Sequence, residues 1–398
     1  MSTTTRTPLV ARMRGFGTTI FSEMTALAQA HGAVNLGQGF PDEDPPAAMV
    51  DAAAQAMRDG HNQYAPGPGV PPLRQAIARH QRRFHDLAYD PDDEISVTFG
   101  ATEALAATLL AVCDRDDEVL VLEPTYDAYT AVLALVGAVE VRVPLRAPAF
   151  ALDLDAFDAA ITPRTRAVIL NTPHNPTGTV LGPDELDRIA ALCVEHDLVA
   201  ITDEVYEHLV FDGVHVPLAS RPGMRERTVT ISSAGKTFSC TGWKVGWACA
   251  PPALTSALRT TKQFLSFSGG TPLQHAVAVG LDAGDDVYDA VRALHRSRRD
   301  RLVDGLVAGG CQVARPAGGY FVTMDVRDLG HDDGEAFCRW APEALGVAAV
   351  PVSAFVHDAD ATVRPLIRLA FCKPESRIDE GVERLLRARS HTSAGGRP

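Results

Sequence analysis

No stretch of this chain is long and apolar enough to span a bilayer, which excludes a helical membrane protein. No two cysteines form a C-x-x-C pair. Seven occur (Cys113, Cys193, Cys240, Cys249, Cys311, Cys338 and Cys372), an odd and scattered set. Such a set fits reduced, buried thiols in the cytoplasm and argues against a disulfide framework or a zinc site. Basic residues are in deficit, with 37 Lys and Arg against 50 Asp and Glu and a formal net charge of -13. An acidic chain does not invite nucleic acid or anionic lipid, although one local basic pocket is compatible with it. Residues 1–14 lack an apolar core run, so no signal peptide is expected. Residues 390–398 are small and polar and are expected to be disordered. No internal repeat and no long low-complexity linker is present.

What is there suits a large globular protein. The 398 residues are 46% hydrophobic and 22% charged, more than one compact core needs and enough for two lobes. Apolar runs at 95–99, 118–122, 139–143, 167–171, 198–202, 228–232 and 245–250 read as buried strands. Helix patterns at 102–112, 126–136 and 183–196 alternate with them. This order predicts an α/β fold with a mostly parallel seven-stranded sheet covered on both faces. Residues 1–45 read as irregular, followed by helix patterns at 46–58 and 71–84. A long helix is expected around 272–308, then strands at 320–326, 347–350 and 366–371. Residues 1–59 and 286–398 are expected to form a small α+β domain, and 60–285 the large one. Open α/β sheets bind ligands beyond the carboxyl ends of their strands, so the polar residues there are the candidates.

Ser232-Ser-Ala-Gly-Lys236 places a lysine just after a strand, with Lys244 eight residues on. A desolvated lysine amine near a second cation is suited to forming an imine with an aldehyde; the alternative is a surface lysine in a loop. Asp203 ends an apolar strand, with Tyr206 three residues later. An acid there can keep a pyridine nitrogen protonated, or it can cap a helix starting at Glu204. Asn175 lies in the polar turn Asn171-Thr-Pro-His-Asn175-Pro-Thr-Gly178, where His174 has no obvious partner. Gly100-Ala101-Thr102 opens a helix and offers backbone N–H groups to a phosphate, or Thr102 is a plain N-cap. Tyr126 follows a strand and can stack on a ring or merely pack. Arg368 stands inside an apolar strand, where its fork suits a carboxylate unless it pairs at a sheet edge.

In their joint order these residues resemble the site of class I/II aminotransferases of fold type I, enzymes that use pyridoxal 5'-phosphate. The resemblance runs from about Val34-Asn-Leu-Gly-Gln-Gly-Phe-Pro41 to Phe371. It points to the kynurenine/glutamine transaminase K and methionine aminotransferase branch and is similar to actinobacterial N-succinyldiaminopimelate aminotransferases. It implies that Lys236 carries the cofactor as an imine and shuttles the proton between the substrate Cα and the cofactor. It implies that Asp203 holds the ring nitrogen, that Asn175 and Tyr206 contact the ring oxygen, and that Tyr126 stacks. Ala101, Thr102, Ser233 and Lys244 are implied to hold phosphate, with lysine where many relatives have arginine. Tyr64 is implied to reach the phosphate of a neighbouring subunit, so a homodimer with shared sites is expected. Gly39, Asn175 and Arg368 are implied to hold the substrate carboxylate.

The expected reaction moves an amino group from an L-amino acid to a 2-oxo acid. Phe21, Tyr64, Tyr126 and Phe355 are expected to line the side-chain pocket and favour methionine, glutamine, aromatic or kynurenine donors. N-succinyldiaminopimelate transamination and C–S β-elimination are the alternatives. A cofactor-binding regulator is a remote one, since only about forty residues precede Gly39 and none form a helix-turn-helix pattern.

Overall fold

The computed structural model describes residues 8–393. All seven expected strands form one sheet, joined at its edge by an eighth of two residues. Across the sheet the order is Ile95–Phe99, Val245–Cys249, Thr228–Ser233, Val199–Asp203, Thr165–Asn171, Glu118–Glu123, Val139–Arg146 and Ala151–Leu152. From Thr228–Ser233 to Val139–Arg146 every neighbouring pair is parallel. Val245–Cys249 runs antiparallel to both of its neighbours. The β-branched runs are continuous because both faces are covered. Leu120, Leu122, Val168, Leu170 and Ala200 point to the face beneath helix Pro183–Glu195. Val119, Val121, Ala167, Ile169 and Ile201 alternate to the other face, beneath helices Gly100–Val112 and Asp127–Val136.

A second sheet holds Phe321–Asp325, Leu366–Ala370 and Val350–Pro351, with Leu366–Ala370 in the middle. Its core includes Val205, Tyr206, Leu209 and Phe211, which follow a central strand of the large sheet. Val34–Asn35 pairs with Val347–Ala348, so the expected strand at 347–350 is divided between two sheets.

Residues before 45 are not all irregular. Ile20–His31 is a helix, capped by the Thr19 hydroxyl on Ser22 N and ended by Gly32 in the left-handed region. The long helix is two helices, Thr271–Leu281 and Asp285–Ala308, parted at Gly284. Helix Ala47–Arg58 lies against the first of these, where a Cβ on Gly280 would sit 2.6 Å from the Met49 sulfur. Ala388–Ser393 is helical, which corrects the expected disorder from 390 onward; residues 394–398, like 1–7, lie outside the described residues. All seven cysteines are buried and unpaired. Among the described residues no helix is long and apolar enough to cross a membrane.

Candidate active site

One cavity of about 380 Å³ opens at the carboxyl ends of the parallel strands. Its walls bring together Phe21, Gly39, Ala101, Thr102, Tyr126, Asn175, Asp203, Tyr206, Ser233, Lys236, Lys244 and Arg368. Asn171 and Asp203 end adjacent strands and face each other in register. The Asn171 amide donates to the Asp203 carbonyl at 2.9 Å, and its own oxygen accepts the Asn175 N–H at 2.7 Å. His174 does have a partner: its Nδ1 lies 2.8 Å from the Thr177 hydroxyl. No helix starts at Glu204, so Asp203 is not a helix cap; its Oδ1 accepts the Val205 N–H of the turn at 3.4 Å. Its carboxylate accepts from Tyr129 at 2.7 Å and projects into the cavity. Burial raises the Asp203 carboxyl and the Tyr129 bond lowers it; burial wins.

Lys236 donates to the Gly39 carbonyl at 3.1 Å and lies 5.6 Å from the centre of the Tyr206 ring. Burial lowers its amine below the ordinary lysine range, partly offset by Cys372 and Asp203. The backbone behind it is fixed by Tyr320, whose hydroxyl donates to the Lys236 carbonyl. Gly100 and Gly246 make room for a cradle beside it. A Cβ on Gly246 would stand 2.5 Å from Gly100 C and 2.7 Å from Ala101 N; one on Gly100 would stand 3.2 Å from the Lys244 amine. Helix Gly100–Val112 begins at this point, so Thr102 is inside the first turn and is not its N-cap.

Arg368 is in the central strand of the small sheet, not at an edge, and is 1% exposed. Its fork donates to Asn175 Oδ1 at 2.8 Å and Gly37 O at 2.9 Å, while its Nε has no partner. The rings of Phe21, Phe321 and Phe355 surround it at 5.1, 3.9 and 4.9 Å. Burial draws its pKa down to about 10. A buried cation among neutral acceptors is costly until an anion joins it.

Two expected residues are elsewhere. Tyr64 is 84% exposed and packs on Phe267, outside the cavity. Phe355 is buried behind Phe21 and Arg368 and supports the wall without lining it. Sequence reasoning missed the role of Asn171, although it ends a strand inside a motif already singled out, and Tyr129, one helical turn past Tyr126. It also missed the layer behind Asp203. Glu204 accepts from His215 and Thr202, each at 2.7 Å, and Glu207 accepts from His85 at 2.6 Å. Against burial, the paired histidines hold Glu207 well below the usual carboxylate range. His80 and His208 share a 2.7 Å N–N contact. This buried network, in which the Nδ1 atoms of His80, His85 and His215 have no hydrogen-bond partner, lies behind the turn that presents Asp203 and Tyr206 to the cavity.

The model of the class I and II aminotransferases matches residues 31–385. A probable N-succinyldiaminopimelate aminotransferase of Mycobacterium tuberculosis is 52% identical over 94% of this chain and 97% of its own. The methionine aminotransferase of Escherichia coli is 41% identical over 96% and 99%. The solved structure of N-succinyldiaminopimelate aminotransferase from Mycobacterium tuberculosis superposes with a TM-score of 0.93 at 53% identity, covering 96% of this chain and all of that one. With a match over most of its length and the same fold type I architecture, this chain belongs to the class I and II aminotransferases, enzymes that depend on pyridoxal phosphate.

Proposed function

We propose that this aminotransferase takes L-amino acids with large neutral side chains, and that the twelve cavity residues divide the work as follows. The cavity suits the cofactor chemically. It offers two amines, Lys236 and Lys244, one carboxylate, Asp203, and a glycine, Gly100, whose added Cβ would crowd the Lys244 amine. Ala101, Thr102, Ser233 and Lys244 would hold the phosphate, the helix N-terminus adding its dipole. Asp203 would keep a proton on the ring nitrogen, and its burial fits a group that awaits a cationic partner. Asn175 and Tyr206 would meet the ring oxygen, with Tyr126 against the ring. Bound there, pyridoxal phosphate supplies an electron sink for the charge left when a proton leaves the substrate Cα. Lys236 would hold the cofactor covalently and, once displaced by substrate, move that proton; its lowered pKa favours the neutral amine both roles need.

The observation that carries the substrate reading is Arg368, a buried guanidinium with no carboxylate partner among the described residues. An α-carboxylate supplies that partner, with Gly39 and Asn175 beside it. The remaining wall is mostly apolar or aromatic, from Phe21, Phe40, Tyr126 and Phe321, and its further polar side chains, such as Gln38 and Thr241, are uncharged. Lys236, Lys244 and Arg368 are its three cations, and none is left for a distal carboxylate. Methionine, glutamine, phenylalanine and kynurenine therefore fit better than aspartate. N-succinyldiaminopimelate is a second reading, favoured by the 52% identical relative; its two further carboxylates would need cations from a partner subunit. A competition panel of these donors with a neutral 2-oxo acid and, separately, with 2-oxoglutarate, with products identified, separates the two and reveals any β-elimination. Aspartate or N-succinyldiaminopimelate ahead in kcat/KM overturns the neutral-pocket reading.

The enzyme is read as a cytoplasmic homodimer with shared sites. Tyr64 and Phe264 are 84% and 83% exposed. Lys262 ties their two loops by donating to Gly67 O at 2.9 Å and Phe267 O at 2.6 Å. Such an exposed aromatic patch on two loops joined by Lys262 suits a second copy. Sedimentation at assay concentration tests this, and a fully active monomer refutes it. The two-lobe division at 1–59, 60–285 and 286–398 stands as part of the same proposal.

A further inference from the structure

Lys236, Lys244, Lys262 and Lys373 are the only lysines among 37 basic residues. Three have work assigned above. Lys373 does not line the cavity, yet it is 4% exposed. It lies on the exit of strand Leu366–Ala370, a short step from Arg368. Its ammonium donates to Phe40 O at 2.9 Å and to Asp42 Oδ1 at 2.6 Å, and sits 4.4 Å from the centre of the Phe40 ring. Three acceptors converge on one nitrogen. A compact ammonium meets them all, whereas a planar guanidinium does not.

The acceptors belong to one loop, residues 37–43, and cations grip it along its length. Arg368 holds Gly37 O, Lys236 holds Gly39 O, Lys373 holds Phe40 O and Asp42, and Arg298 holds Glu43. The loop also presses on the cavity: a Cβ on Gly39 would fall 2.4 Å from the Phe321 ring. In the reaction two of these grips are lost. Lys236 turns to the cofactor, and Arg368 turns to the substrate carboxylate. Lys373 and Arg298 take no part in the chemistry and remain.

We propose that Lys373 is a positioning residue that, with Asp42, latches loop 37–43 over the cavity and keeps Gly39 at the substrate carboxylate while Lys236 and Arg368 are engaged elsewhere. This rests on the carboxylate reading of Arg368 and Gly39 given above. Removing the latch should leave the chemical step alone and weaken every ligand that carries the carboxylate.

The test uses the holoenzyme. Lys373→Met keeps the stem and removes the charge. Asp42→Asn weakens the same pair from its solvent side and stands in if the buried substitution does not fold. Expected are amide hydrogen exchange in 37–43 at least about tenfold faster, and KM values for donor and oxo acid both raised about tenfold, equivalent to ~1.4 kcal/mol. Turnover should fall less than about threefold, and exchange across 228–247 should not change. A structural defect would instead speed exchange generally and lower turnover. Unchanged exchange in 37–43, or KM values within about twofold of the parent, overturns the latch. Arg368→Met is assayed in parallel. Normal KM values in that variant strike the carboxylate reading, whereas raised values there with normal ones in Lys373→Met strike the latch alone.

Discussion

Replacing Arg368 by methionine keeps an unbranched side chain between the rings of Phe21, Phe321 and Phe355 and deletes the charge. In the absence of substrate this should cost little stability. Burial draws the guanidinium from 12.5 to about 10, a penalty of roughly 3 kcal/mol at ~1.36 kcal/mol per pKa unit. Methionine removes that penalty. Against it stand the two bonds to Asn175 and Gly37, each worth about 1.5–3 kcal/mol from a charged donor. The bonds total about 3–6 kcal/mol, so the balance lies between about zero and 3 kcal/mol against the variant, and the melting temperature of the substrate-free holoenzyme should fall by no more than about 5 °C. Ligand binding should respond differently. A buried charge pair to a carboxylate loses roughly 2–5 kcal/mol when one side is removed. At tenfold per ~1.4 kcal/mol that is about 30-fold to several thousand-fold. Donor and oxo acid share the carboxylate and should weaken together. Inhibition by 3-phenylpropanoate, which has the carboxylate and no amino group, reads binding without chemistry and should weaken by the same factor. An inhibition constant unchanged in Arg368→Met, with both KM values unchanged, refutes the assignment.

Asp203→Asn should retain the fold and lose several powers of ten in turnover, because a neutral amide does not hold a proton on the ring nitrogen; near-normal turnover would make Asp203 a structural residue. Tyr129→Phe removes only the 2.7 Å bond to that carboxylate, about 1.5–3 kcal/mol for a charged acceptor, so stopped-flow turnover should fall roughly ten- to 150-fold. Gly246→Ala drives a Cβ to 2.5 Å from Gly100 C; at ~1–3 kcal/mol for overpacking, the cofactor Kd by equilibrium dialysis should rise about tenfold, and an unchanged Kd means the cradle yields. Only the neutral amine of Lys236 attacks an aldehyde, and burial lowers its pKa. The rate of covalent cofactor uptake by the cofactor-free chain should therefore rise with pH and level off below pH 10.5; a rate still climbing through that point contradicts the shift.

The strand ends were readable because a β-branched run followed by a polar residue marks where a parallel sheet meets its ligand. Asp203, Asn175 and Lys236 follow from that rule and from the order of their motifs. Helix Ile20–His31 was missed although Thr19 and Gly32 flank it with the ordinary capping pair and Ile20, Met24, Leu27 and Ala28 stand at helical spacing; the glycines and prolines on either side of it were read as one irregular segment. Tyr129 and Lys373 were beyond reach for another reason. Each acts on a residue distant in the chain, Asp203 and Asp42, and nothing local records that partnership. Phe355 was misjudged for the converse reason: a ring beside the site in sequence logic can face the wall's far side.

The reversed strand Val245–Cys249 has a consequence for the order of folding. It pairs with Ile95–Phe99 only after the whole parallel run between them has been synthesised. Lys244 therefore meets Gly100 late, when a long loop has already been closed at an entropic cost that local contacts do not repay. The proposed phosphate cradle is thus a product of the finished topology and not a nucleus for it. Pyridoxal phosphate binds the native chain alone and stabilises it by mass action, ~4 kcal/mol at a thousand times its Kd. It slows unfolding and leaves the earliest folding steps untouched.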